Sequence, residues 1–188
     1  MNQLAWVVFI ITIVVAWILG VFAQRRRVGR YDATGDPHYG IVVFVEPVRW
    51  LFIIWGFTFF CNGLRRAGGK QQVRLFRWSS RIGSLFVIPD LMAKKRLLSH
   101  SQRLAKLIEE LADEHPQQPI HLVGYSTGCY LALEACNRLP RHGMIRKVVL
   151  LAGTLSPRYK LEHLAGKTSG IYSVSSPVDL INGLGPLL

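Results

Sequence analysis

The sequence predicts an α/β domain, a mostly parallel sheet with helices on both faces, preceded by one N-terminal transmembrane helix. Three observations carry this. Five short apolar runs rich in β-branched residues recur along the chain. Helical periodicity separates them. An uncharged apolar stretch stands alone at the N-terminus, before the first run.

That stretch, residues 4–23, reads LAWVVFIITIVVAWILGVFA. At about 1.5 Å per residue its length matches a hydrocarbon core of roughly 30 Å. No basic residue precedes it, and it is longer than the apolar region of a cleavable signal, so an uncleaved anchor covering 1–24 is expected. Arg25, Arg26, Arg27 and Arg30 follow at once. By the positive-inside rule they place the rest of the chain on the cytoplasmic face of a single-pass membrane protein. The same arginines suit anionic headgroups, making membrane lipids the expected partner.

The formal net charge of +12 over 188 residues raises nucleic acid as another partner. No nucleic-acid-binding module accompanies the charge, and much of it is juxtamembrane, so no nucleic acid is expected. Cys61, Cys129 and Cys136 form neither a framework nor a Cys-x-x-Cys pair, and reduced thiols packed in a core fit a cytosolic domain.

Residues 25–40 are polar and turn-rich and are expected as a basic juxtamembrane linker, with the domain occupying 41–188. The five runs are IVVFV at 41–45, VRLFRW at 73–78, IHLVG at 120–124, KVVLLAG at 147–153 and GIYSVSS at 170–176. Apolar on both faces, they suit strands of a covered sheet. Leu104, Leu107, Ile108 and Leu111 recur at helical spacing with Lys106, Glu109, Glu110 and Asp113 on the other positions, an amphipathic helix. A second helix is expected over 127–139, ending at Pro140. The stretch 48–64 is apolar all round and dense in aromatics. Short of the usual span length and flanked by basic residues, it is expected as a helix packed on the sheet and partly sunk in the membrane interface, with a second spanning helix as the alternative.

Gly124, Tyr125, Ser126, Thr127 and Gly128 spell Gly-x-Ser-x-Gly, with a strand leading in and a helix leading out. Small residues there permit a tight turn that lifts a serine hydroxyl above the sheet. The other reading is a glycine turn with an incidental serine.

On this strand, motif and helix, and on the order of the surrounding elements, the chain resembles the α/β-hydrolase family from Ile41 almost to its end. The resemblance implies that the five runs are the third to seventh strands of that fold. It makes Ser126 the nucleophile of an acyl-enzyme mechanism and the Thr127 N–H one oxyanion donor. It also places an acid after a late strand, where Asp179 stands; a helix-capping carboxylate is the alternative there. The family's histidine follows its acid, but no histidine follows Asp179. Of the histidines after Ser126, His163 is the internal substitute to test, against its reading as an exposed helix residue. A C-terminally incomplete hydrolase is therefore expected, with a complete but inactive relative as the alternative.

The loop after the first run, Glu46-Pro47-Val48-Arg49, departs from the family's glycine-rich oxyanion loop. Pro47 has no N–H, and Glu46 would oppose an oxyanion unless turned away or paired with Arg49. The expected activity is hydrolysis of an ester, thioester or lipid, with a noncatalytic membrane protein binding a lipid or protein partner as the rival. No cofactor or metal is implied, because neither ligand spacing nor a phosphate loop occurs.

Overall fold

A computed structural model describes residues 3–80, 94–153, 155–156 and 158–175. Helix α1 (Gln3–Tyr31) leads into β1 (Asp36–Val45), followed by α2 (Phe57–Arg66), β2 (Gln71–Phe76), α3 (Lys94–Glu114), β3 (Ile120–Tyr125), α4 (Gly128–Arg138), β4 (Lys147–Leu151), a 3-10 turn (Glu162–Leu164) and β5 (Ile171–Val174). The strands form one five-stranded sheet in the order β2-β1-β3-β4-β5, and every pairing is parallel. Each parallel step needs a crossover, and helices supply those before and after β3.

Strand β1, paired on both sides, explains the two-sided burial. From Gly40 to Val45 every residue of β1 is buried. Ile41, Val43 and Val45 face a core shared with α3 and α4, including Leu104, Ile108, Leu131 and Leu133. Val42 and Phe44 face a second core with Val28 of α1 and Phe57 and Cys61 of α2. Phe44 meets Phe57 at 5.4 Å and Phe60 at 5.2 Å between ring centroids. A side chain of this size, fully buried, stabilises by roughly 1.5–3 kcal/mol.

Two stretches differ from their sequence expectation. Residues 25–40 are largely regular structure, with α1 continuing unbroken to Tyr31 and β1 opening at Asp36. Arginine is a good helix former, and Val28 is 2 % exposed, so packing extends the helix past its apolar part. Asp32 then accepts the Leu75 N–H at 2.9 Å and pairs with Arg77 at 3.2 Å, fastening α1 to β2.

The stretch 48–64 is not one helix. Its helix starts at Phe57, because Leu51 and Phe52 hold φ of 51° and 63° and Gly56 holds 80°, values that an α-helix excludes. Trp50 and Ile53 bridge across the tight turn, with the Ile53 N–H donating to the Trp50 carbonyl at 3.0 Å. The α1 helix is long and apolar enough to cross a membrane, and 6 % of its most apolar window is buried against the domain.

Candidate active site at the β3–α4 elbow

Strand β3 must reverse into α4 within a few residues, and Ser126 makes the reversal. Its φ is 52°, left-handed and strained for a residue with a side chain. The Ser126 N–H donates to the Leu151 carbonyl of β4 at 2.9 Å, and its own carbonyl accepts the Cys129 N–H at 2.9 Å. Those two bonds hold the turn between the neighbouring strand and the first turn of α4.

The flanking glycines are required by space. A Cβ on Gly124 would sit 2.6 Å from the Cys129 Cα. One on Gly128 would sit 2.5 Å from the Val45 carbonyl oxygen and 2.8 Å from that of Glu46. These contacts are to backbone, which cannot swing aside. Both glycines therefore let α4 close onto β3 and the end of β1, and the loop after β1 abuts the elbow.

Thr127 is buried at the start of α4, and among the described residues its N–H has no hydrogen-bond acceptor. An unpaired N–H at a helix N-terminus carries partial positive charge and suits an anion. The Glu46 N–H is already given to the Phe76 carbonyl at 3.3 Å and Pro47 has none, so the next backbone N–H groups along this loop are those of Val48 and Arg49.

Glu46 itself is fully buried. Its carboxylate accepts from Arg49 Nη2 at 2.9 Å and Nε at 3.3 Å, from the Trp78 N–H at 3.0 Å, and from Ser79 Oγ at 2.9 Å and N–H at 3.3 Å. The charge is thus spent on binding the loops after β1 and β2 together. Its only signal in the sequence is a carboxylate ending an apolar strand with an arginine three residues on. His100 of α3 rests against the Trp78 ring, 5.9 Å between centroids.

Cys129 lies beneath the elbow, its Sγ 3.2 Å from the Gly124 carbonyl oxygen and 3.6 Å from that of Leu151. Burial pushes this thiol up to about 12, which makes it a packing group rather than a nucleophile.

His163 is exposed on the 3-10 turn, with its ring edge-on to Tyr159 at 5.8 Å. Tyr159 donates its hydroxyl to Glu134 of α4 at 3.0 Å. Burial, then the Glu134 charge, holds the Tyr159 phenol well above its ordinary range. Among the described residues no histidine hydrogen-bonds to Ser126, and no group of His, Cys, Asp and Glu is arranged to hold a metal ion. Asp179 lies outside the described residues.

Beside the elbow is a cavity of about 310 Å³ lined by Phe44, Trp55, Gly56, Phe59, Phe60, Tyr125 and Leu151. Sequence reasoning missed it, since its walls come from four separate segments. Another cavity of similar volume lies among Pro116, Gln118, Gly143 and Arg146, at the opposite end of the strands.

The thioesterase domain family model matches residues 85–180, a little over half of the chain and the part that contains the elbow. The chain belongs to the thioesterase domain family. Solved structures agree on the α/β-hydrolase fold. Trichoderma reesei cutinase, solved with a phosphonate inhibitor, is 17 % identical and superposes with a TM-score of 0.57 over 93 % of this chain and 79 % of its own. Dienelactone hydrolase from Anabaena variabilis is 15 % identical, with a TM-score of 0.50 over 82 % and 79 %. No curated protein matches the sequence.

Proposed function

We propose that this chain is a membrane-anchored serine hydrolase that cleaves an ester or thioester through an acyl-enzyme on Ser126. The observation that carries the reading is the left-handed φ of Ser126 at a strand-to-helix elbow whose two glycines are sterically required. Strain of this kind is kept where it positions a functional group.

In this mechanism Ser126 Oγ attacks the acyl carbon and loses its proton to a base. The carbonyl oxygen becomes an oxyanion, stabilised by the Thr127 N–H. The C–O or C–S bond then breaks, and the leaving alcohol or thiol takes the proton. Water, deprotonated by the same base, attacks the acyl-enzyme and releases the carboxylic acid and free Ser126. Asp179 is the proposed acid that orients the base, and His163 is the internal histidine proposed for the base.

Residues 4–23 are the proposed anchor, with Arg25, Arg26, Arg27 and Arg30, all exposed, against anionic headgroups on the cytoplasmic face. The absence of a histidine bonded to Ser126 among the described residues favours a second reading, a noncatalytic lipid-binding domain. One experiment separates them. Membrane-bound protein is treated with a fluorophosphonate, comparing wild type with Ser126→Ala, Asp179→Asn and His163→Ala. Catalysis predicts labelling that Ser126→Ala abolishes; folded wild type that stays unlabelled rejects it in favour of lipid binding.

A further inference from the structure

The turn after β1 is built against its own conformational preference. Leu51 and Phe52 occupy left-handed backbone positions that glycine or asparagine would adopt without strain. Helix α1 holds them there. The Trp17 indole N–H donates to the Leu51 carbonyl at 3.3 Å, and the Trp17 and Phe52 rings lie 5.9 Å apart. The Gln24 side-chain amide donates to the Ile54 carbonyl at 2.7 Å and accepts the Ile54 N–H at 3.1 Å.

The outcome is an apolar surface. Trp50 is 53 % exposed, Trp55 44 % and Phe59 78 %. Facing water, such a cluster is a liability. At the same time α1 and the turn itself satisfy the backbone polar groups of Leu51, Ile53 and Ile54 named above, the condition that an apolar medium imposes on non-helical backbone. Trp17 lies within the apolar run, six residues before its end at Ala23, or about 9 Å along a helix. The turn packed on it is therefore level with the last part of that run.

The same surface continues into the cavity beside the elbow. Trp55, Gly56, Phe59 and Phe60 form one wall, and Phe44, Tyr125 and Leu151 the other. Tyr125 immediately precedes Ser126, and the Leu151 carbonyl holds the Ser126 N–H. The cavity lining thus reaches from the exposed Trp55 and Phe59 to Tyr125 and Leu151, the residues that flank Ser126 along the chain and across the sheet.

We propose that the 50–56 turn is immersed in the bilayer and that the cavity receives a long acyl chain directly from the membrane, so that the substrate is a bilayer-resident acyl ester or thioester. The substrate half rests on Ser126 being the nucleophile; the immersion half does not.

The test uses full-length protein in phosphatidylcholine vesicles. An environment-sensitive fluorophore is attached at Phe59→Cys or, as a control, at Lys106→Cys on the exposed face of α3, where the lysine side chain is 79 % exposed. The native thiols are buried and stay unlabelled. Lipids brominated in mid-chain should quench the probe at 59 and not at 106, while aqueous iodide should do the reverse. A probe at 59 that behaves like the one at 106 overturns immersion. In parallel, long-chain and short-chain alkyl fluorophosphonates are compared in the same vesicles. The long chain should label about tenfold faster, the scale of discrimination that an apolar pocket provides. Equal rates overturn the acyl cavity, whereas no labelling by either probe defeats the Ser126 reading and, with it, the substrate half alone.

Discussion

The buried carboxylate of Glu46 accepts the backbone N–H of Trp78 at 3.0 Å, and the Trp78 indole N–H returns the bond to the Glu46 carbonyl at 2.6 Å. One residue pair thereby ties the end of β1 to the chain leaving β2. Removing the carboxylate would leave Arg49, 20 % exposed, without its partner, and three further donors unsatisfied. Glu46→Ala should lower stability by about 3–5 kcal/mol, the scale for breaking a buried pair. Glu46→Gln, which keeps acceptor capacity and shape, should lose less. Thermal unfolding of both variants in detergent checks the order, and equal losses would show that the charge, which both variants lack, carries the whole effect.

The elbow makes a prediction of opposite sign. Ser126→Gly removes a side chain from a left-handed position and should stabilise by about 1 kcal/mol while abolishing fluorophosphonate labelling. Gly128→Ala should destabilise by about 1–3 kcal/mol or more, because its Cβ meets two carbonyl oxygens that belong to β1 and its loop. A raised melting temperature for Ser126→Gly together with a lowered one for Gly128→Ala is the expected pair of results.

The thiols predict behaviour in alkali. Burial pushes Cys61 and Cys129 up from 9.0 to about 12 and Cys136 up to about 11. The unfolded chain therefore loses these protons before the folded one does. Stability is full below pH 9 and falls as pH rises through the folded values. Native protein at pH 8 should resist a maleimide reagent, and all three cysteines should react once it is unfolded. Fast labelling of Cys129 in folded protein would contradict its burial.

His121 gives the acid-side counterpart. Burial first, then the nearby Lys147 and Arg146 charges, lowers its pKa below 6.5, so the unfolded state binds the proton more readily. Stability should fall as pH drops below 6.5, and His121→Gln should flatten that dependence. Melting temperatures of the two proteins between pH 5 and 7 would reveal it.

The five strands, the helices on either side of β3 and the elbow were legible because each leaves a local signature: an apolar run, a 3.6-residue period, a glycine spaced on either side of a serine. The 48–64 stretch was not. Apolar residues all round erase periodicity, and Leu51 and Phe52 are not turn-forming residues; the Trp17 and Gln24 side chains that hold that turn are far away in sequence. The same holds for the site. Ser126 announced itself through its glycines, whereas the cavity is assembled from segments that sequence order separates. For Glu46 the sequence left two options, turned away or paired with Arg49; the structure shows the pair, while the bonds to Trp78 and Ser79 depend on how β1 and β2 pair.

Helix α1 passes into the domain without a joint: Val28 is buried, Tyr31 bonds to Asn62, and Asp32 is fastened to β2. If α1 is the anchor proposed above, the sheet cannot swivel independently of it. A thinner bilayer, which an overlong span meets by leaning over, would then lean the whole hydrolase domain by the same angle and change how the mouth beside Ser126 addresses the lipid. Catalytic orientation would in that way become a property of membrane thickness, with the helix as the lever arm.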